Sequence, residues 1–274
     1  MLPCKCIVLT VSAALLAVTA ARADIRTDIQ AAKSGTTITC SGTYTVTNKI
    51  VVPSGVTVKG PATFIFSSSG SDGFSVATGS TGVTLQSLTV TGANHGFMLL
   101  GNNSKVISCN ANGNHNSGFQ FSASGSYNNT FSACISYNNA DSTGGNADGF
   151  SAKNGTSTGN QILNCTAYSN SDDGLDFYGG KSPITVTGCL VYNNGAYSGL
   201  TGNGDGFKMG GAGVTANHIF TSCVSHNNTA GDSGRGFNHN HNGGVITLTT
   251  CHSYSNKKVD VLTGDTLNNC TMQQ

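Results

Sequence analysis

An all-β chain wound as a parallel β-helix, one coil stacked on the next, is the fold this sequence predicts, and three observations predict it. Charged residues make up only 9% of the chain, too few for disorder. The polar remainder is rich in Gly, Ser, Thr and Asn, and β-branched residues are many, which favours extended backbone over helix. Asn follows Cys by five positions six times over, at Cys109 and Asn114, Cys134 and Asn139, Cys165 and Asn170, Cys189 and Asn194, Cys223 and Asn228, and Cys251 and Asn256. A Gly followed by a large apolar residue recurs from Gly73-Phe74 through Gly96-Phe97, Gly118-Phe119, Gly149-Phe150, Gly174-Leu175 and Gly206-Phe207 to Gly236-Phe237. Successive glycines lie 23, 22, 31, 25, 32 and 30 residues apart. Each interval holds two or three short strand-like runs, the mark of a solenoid in which equivalent positions stack along one axis.

Taken in order, residues 1–23 are expected to be a secretory signal peptide. Lys5 opens it, Ile7 to Ala20 is apolar but too short to be read as a membrane span, and Ala21-Arg22-Ala23 is a small-x-small cleavage signal. The remainder, residues 24–274, is expected to form a single β-helix domain that is extracellular and monomeric. It carries eleven basic and twelve acidic residues, a balance that gives no footprint for nucleic acid or an anionic membrane. From Asp24 to Lys33, Ile25, Ile29 and Ala32 fall at helical spacing before Gly35. A short amphipathic helix there would cover the open end of the first coil. Strands are expected over Thr36 to Thr39, Lys49 to Val52, Val56 to Lys59, Ala62 to Phe66 and Val83 to Val90. The sequence does not show what closes the other end, near Cys270.

The repeated columns have physical consequences. Stacked parallel strands lie about 4.8 Å apart, so like residues in consecutive coils touch. The Phe column would fill the interior. The Asn column would sit at a tight turn, each amide bonding the next, where Asn also tolerates left-handed φ. Tyr137, Tyr168, Tyr192 and Tyr254 recur three residues after the repeated Cys, with Asn112 and His226 as the exceptions. Eight Cys beyond residue 23 admit two readings: disulfides, as in many secreted chains, or an in-register ladder of inward thiols, which the spacing favours. Most of the six Asn-x-Ser/Thr sites, at Asn102, Asn128, Asn154, Asn164, Asn227 and Asn269, are read as products of composition.

Coil length varies in one place. The Gly follows the column Asn by four positions after Asn114 and Asn170, but by ten after Asn139, twelve after Asn194 and eight after Asn228. Insertions on one face of a solenoid commonly build its binding face. These fall just before the acidic residues. The chain has no Glu and twelve Asp, of which Asp148, Asp172, Asp173, Asp176 and Asp205 cluster in three short runs. With each Gly as origin, Asp148 should lie against Asp173 and Asp176 against Lys208, with Asp172 beside them. Carboxylates this close repel by roughly 1 kcal/mol per pair in water at 4 Å, and by more in a drier groove. A divalent cation resolves the conflict, and an all-oxygen acidic set suits calcium. An Asp-Gly pair is also a common turn, and an Asp there can simply bond backbone. That reading suffices for Asp72 but not for four acids in adjacent coils. Asp205 could join the acidic column or pair with Arg235 one coil on.

Three motifs, Asn146-Ala-Asp-Gly-Phe-Ser-Ala-Lys153, Ser171-Asp-Asp-Gly-Leu-Asp176 and Gly206-Phe-Lys-Met-Gly-Gly211, in this order resemble those of the family 9 polysaccharide lyases, a pectate lyase group. The resemblance spans about residues 90 to 260. It implies a right-handed parallel β-helix cleaving polygalacturonate by calcium-dependent β-elimination. It further implies Asp148, Asp172, Asp173 and Asp176 as calcium ligands and Lys208 as the base. Such a base must be uncharged, and a free Lys titrates near 10.4, so alkaline conditions or cationic neighbours are expected to favour the reaction. Arg235 could bind a uronate carboxylate in the next subsite, with hydrogen bonds from Asn238, His239 and His241. Two other classes fit the scaffold. A polygalacturonase-like hydrolase would use paired carboxylates without needing Lys208. A carbohydrate-binding or adhesin solenoid would need no base at all.

Overall fold

The computed structural model describes residues 7–9, 24–121, 125–155 and 157–273. The expected signal peptide lies outside the described residues except for Ile7–Leu9, which pair antiparallel with Thr37–Thr39. From Asp24 onward the chain is a parallel β-helix. Its strands form three ladders, two of which merge into one 18-stranded sheet while the third is an eight-stranded sheet. The merging is caused by Thr57–Phe66 and Thr84–Thr91, two long strands that run through the corner between the first two ladders. Thr57–Phe66 joins the two runs expected over Val56 to Lys59 and Ala62 to Phe66, with a register break between Lys59 and Ala62.

The N-terminal helix α1, Ile25–Gln30, is shorter than the periodicity predicts: Asp24 starts it as N-cap, its carboxylate accepting from Arg26 N–H at 3.0 Å and from Thr27 Oγ1 at 2.7 Å, and Ala31 already ends it as C-cap. Ile25 and Ile29 are buried against the first coil. Arg26 Nε donates to Lys49 O at 2.9 Å and Gln30 Oε1 accepts from Val51 N–H at 3.4 Å, so the helix also occupies polar groups of the strand edge it covers.

Register follows the columns. On the third ladder Phe74, Phe97, Phe119, Phe150, Leu175, Phe207 and Phe237 are successive partners. Their rings face inward and stack, with centroids 4.9 Å apart for Phe97 and Phe119 and 4.8 Å for Phe119 and Phe150. Each such buried side chain is worth roughly 2–3 kcal/mol of apolar transfer. The preceding Gly is required by close approach: a Cβ on Gly149 would lie 2.5 Å from Ala167 Cβ and 2.6 Å from Gly174 O.

Buried Asn114, Asn139, Asn170, Asn194, Asn228 and Asn256 form the amide ladder, each Nδ2 donating to the next Oδ1 at 3.0, 2.8, 3.0, 3.3 and 3.0 Å. The left-handed backbone falls one residue earlier than the sequence suggests, on Gly113, Asn138, Ser169, Asn193, Asn227 and Ser255. The ladder Asn must turn its side chain inward to meet its neighbours, so the residue before it makes the turn. Gln273 ends the ladder, accepting from Asn256 N–H at 2.6 Å and donating to Asn256 O at 2.9 Å. The Cys column is a thiol ladder without disulfides among the described residues. From Cys109 to Cys270 each of its thiols bonds backbone instead, as Cys134 Sγ does with Val106 O at 3.3 Å. Outside the second ladder, Tyr137, Tyr168, Tyr192, His226 and Tyr254 stack nearly parallel, 5.0 to 5.2 Å apart.

Candidate active site

The third ladder differs from the other two on its outer face. Most strands of the other two ladders alternate buried and accessible positions, whereas Phe150–Ser151, Leu175–Asp176, Phe207–Lys208 and Phe237–Asn238 are buried at both. The insertions cause this. After Asn194 the chain makes a small antiparallel hairpin, Ala196–Tyr197 with Leu200–Thr201. Gly202 N–H then donates to Ser171 O at 2.8 Å, placing the hairpin's exit against the acidic residues. The loop after Asn139 is held by Asp141, which accepts from Thr143 N–H at 3.2 Å and Asn146 N–H at 3.1 Å.

Asp148, Asp172, Asp173 and Asp176 meet here, all buried, each offering one oxygen within 4.8 Å of the others. The backbone orients them. Asp148 Oδ1 accepts from Asp173 N–H at 3.3 Å, Asp172 Oδ1 from Asn203 N–H at 2.6 Å, Asp173 Oδ1 from Asp205 N–H at 2.7 Å, and Asp176 Oδ1 from Tyr178 N–H at 2.8 Å. One oxygen of each acid therefore steadies a neighbouring peptide while the Oδ2 atoms of Asp148, Asp173 and Asp176 face two ammonium groups. The turn-bonding role and the cluster role coexist in the same side chains. Asp205 repeats the pattern, Oδ1 accepting from Arg235 N–H at 2.9 Å, but its Oδ2 takes Asn238 Nδ2 at 2.6 Å. It thus pairs with the backbone of Arg235 rather than its guanidinium, and stands outside the four.

Lys208 is the in-register partner of Asp176 and is 8% exposed. Its Nζ lies 3.0 Å from Asp173 Oδ2 and 3.4 Å from Asp176 Oδ2. A second ammonium, which the column argument passes over, comes from Lys153: 2.7 Å from Asp148 Oδ2 and 2.9 Å from Asp176 Oδ2. Its signal was its place inside the first motif, five residues after Asp148. Tyr178 is the other addition, an exposed ring whose centroid is 5.6 Å from Lys208 Nζ. Gly211 is bare because that ring crosses it, at 2.3 Å from where a Cβ would stand.

Four carboxylates against two ammoniums leave a surplus of two negative charges in a buried space. Burial pushes the Asp148 carboxyl up to about 7; Lys153 pulls against this, while Asp176 and Asp172 add to it. Burial also raises Asp172 and Asp173, the latter further through Asp172. Burial alone would lower Lys208, but Asp173, then Asp176, Asp172 and Asp148, outweigh it and hold Lys208 above the ordinary lysine range. The donor set fits a hard divalent ion: four buried carboxylates, all oxygen, converging and electrostatically under-compensated.

Hollows lie on the third ladder to either side. One, of about 260 Å³, is lined by His95, Asn116, Gln120, Asn146, Ser151 and Lys153. In its wall His95 Nδ1 meets Asp72 Oδ1 at 2.8 Å. The other, of about 810 Å³, is lined by Arg235, Asn238, His239, His241, Val245 and Val261 among others. Arg235 Nε is buried without a partner among the described residues. Asn238, partner of Lys208 in the ladder, is fully engaged, donating to Asp205 and accepting from Asn240 N–H at 3.0 Å. His239 Nε2 lies 3.4 Å from Asp265 Oδ1.

Comparison with known proteins bears on what this arrangement is. Residues 16–269 match the family described as Pel9A-like, right handed beta helix region. Pectate lyase L of Thermoclostridium stercorarium is 36% identical over 180 residues, 60% of this chain and 14% of that protein. Pectate lyase L of Dickeya dadantii (strain 3937) is 34% identical over 149 residues, 52% of this chain and 34% of its own. The crystal structure of pectate lyase Pel9A superposes with a TM-score of 0.71 at 27% identity, covering 86% of this chain and 64% of that one. A rhamnogalacturonan lyase shares the fold, with a TM-score of 0.68 at 24% identity. The chain spans less than two thirds of the length of each of these relatives. With the motif order, the ladder register and the family match in agreement, the chain belongs to the Pel9A-like right-handed β-helix family.

Proposed function

We propose that this protein is a calcium-dependent pectate lyase that cleaves polygalacturonate by β-elimination, with Lys208 as the base. The observation that carries the reading is the placement of one buried amine, Lys208 Nζ, 3.0 Å from Asp173 and 3.4 Å from Asp176 at the edge of a four-carboxylate cluster. The pectate lyase names of the relatives supply the substrate class. Asp148, Asp172, Asp173 and Asp176 would hold calcium, which when bound compensates their charge and supplies Lewis-acid stabilisation to a uronate carboxylate.

The chain's own residues do the rest. Lys208, neutral at the moment of reaction, takes the proton from the carbon bearing the uronate carboxylate. The electrons of that C–H bond form the ring double bond, the adjacent glycosidic C–O bond breaks, and the departing oxygen takes a proton from solvent water. While the acids are uncompensated, Lys208 keeps its own proton, so compensation of the cluster and readiness of the base are one event. Arg235, with its unpartnered Nε, and Asn238 form the wall of the following subsite, and Arg235 suits the next carboxylate along the polymer. Tyr178 offers an apolar ring face beside Lys208. Secretion and action as a monomer belong to the same proposal, suited to a polymer too large to enter a cell.

An inverting hydrolase needs its two carboxyls about 6.5–9.5 Å apart to admit water. One oxygen from each acid of the cluster lies within 4.8 Å of the others, closer than that spacing. The test is the ultraviolet absorbance of an unsaturated product on polygalacturonate. Absorbance should rise with calcium and stop with a chelator; reducing ends released without that absorbance would make the protein a hydrolase.

A further inference from the structure

Lys153 is a part of the site that the elimination chemistry does not require. Its ammonium is 2.7 Å from Asp148 Oδ2 and 2.9 Å from Asp176 Oδ2, so it bridges two of the acids that a four-carboxylate cation site needs. The other oxygen of each is committed to a peptide N–H, Asp173 for Asp148 and Tyr178 for Asp176. A divalent ion that draws on the oxygens not bonded to a peptide therefore takes those that Lys153 now holds. Two cations sharing that edge would repel at hydrogen-bond range in a buried setting. Lys208 meets the same competition on the Asp173–Asp176 edge, but it is the more enclosed of the two, its side chain 9% exposed beside Tyr178 against 19% for Lys153. Lys153 also has somewhere to go. Its side chain is 19% exposed and lines the smaller hollow with Asn116, Gln120, Asp141, Asn146 and Ser151, groups that can receive an ammonium on a flexible stem.

We propose that Lys153 is an exchangeable counter-ion. It neutralises the Asp148–Asp176 edge while no metal is bound and gives way when a divalent cation takes those oxygens. Its ammonium then stands in the adjoining hollow, opposite the carboxylate of an acidic sugar unit. Metal loading and the appearance of positive charge in the substrate groove thereby become a single exchange, and the cation affinity is set by competition with the protein's own amine. This inference rests on the cation-site reading above.

Calorimetric titration of the full chain with calcium, in the absence of substrate, tests it. Lys153→Met keeps the stem and removes the charge, and is expected to bind calcium about tenfold more tightly or better, given the close range of the charges. Lys153→Arg keeps the charge and should stay near wild type. A Met variant that binds calcium no more tightly than wild type overturns the proposal. Wild-type protein gives a second measurement that needs no variant. Reductive methylation mapped by mass spectrometry should find Lys153 protected without calcium and modified with it; equal reactivity in both states overturns the proposal as well. At saturating calcium, Lys153→Met should raise KM for polygalacturonate several-fold and change kcat less, and an unchanged KM removes the sugar contact. If the wild type takes up no calcium, the cation reading fails and this inference falls with it. If it takes up calcium and the Met variant binds no more tightly, only the counter-ion role fails.

Discussion

Replacing Lys208 separates its proposed proton-accepting role from its electrostatic one. In Lys208→Ala the Asp173 and Asp176 oxygens lose an ammonium at 3.0 and 3.4 Å, and the surplus negative charge of the cluster rises from two to three. Calcium binding should therefore persist or tighten. Loss of a positioned general base typically costs 10²–10⁴-fold in rate, about 3–5 kcal/mol of transition-state stabilisation. Lys208→Arg sharpens the comparison. A guanidinium can keep the ion pairs with Asp173 and Asp176 but cannot release its proton in a protein, so it preserves the charge and abolishes the base. Both variants should lose turnover, read as ultraviolet absorbance on polygalacturonate at saturating calcium, while calorimetry shows calcium still bound. Wild-type turnover in the Arg variant would refute the reasoning, because it would mean that Lys208 supplies only charge.

Three more outcomes follow from the fold and its charges. In Asn139→Ala, Asn114 loses the acceptor of its N–H and Nδ2 at 3.0 Å each, and Asn170 Oδ1 loses a donor at 2.8 Å. A buried loss of this kind costs about 3–5 kcal/mol, a fall in Tm on the order of 10 °C for a chain this size, measured by calorimetry or circular dichroism. The contribution of the acidic cluster to the stability of the metal-free protein should fall as pH rises from about 4 to about 7, opposed by buried His218, which burial lowers to about 4. Asp148, raised to about 7, and the raised Asp172 and Asp173 bind more protons folded than unfolded across that window, so the slope is negative. The raised Lys153 and Lys208 act only near and above the ordinary lysine range, so the gain in Tm on adding calcium should be larger at pH 8 than at pH 5. A thiol reagent added to unfolded, unreduced protein cleaved after Ala23 should titrate eight cysteines, whereas the folded protein should show almost none, since all but Cys270 are buried.

The sequence carried the coil register because stacking forces like residues into contact, which leaves columns visible in a single chain. The Phe, Asn, Cys and Asp–Lys columns all reappear as strand partners or turn neighbours. A column argument places Cα atoms, however, and long side chains escape it. Lys153 follows its strand, yet its stem carries the ammonium back to Asp148 and Asp176. Asp205 shares the acidic column with Asp173 and differs only in where its second oxygen points, a matter settled by Asn238. The left-handed turn sits one residue before the ladder Asn because inward side chain and turn compete for the same backbone. The closure of the amide ladder by Gln273 follows from a single contact near the end of the chain and leaves no repeat to read.

The unequal distance between ladder Asn and following Gly has an engineering consequence. Whether the excursion from Asn to Gly takes four positions, as after Asn170, or twelve, as after Asn194, the backbone re-enters the third ladder in the same register. The scaffold therefore works as a socket with standard fittings. Segments bounded by a buried Asn and a bare Gly can be exchanged between coils or between related enzymes to recontour the rim of the cleft, leaving the stacked interior beneath them undisturbed.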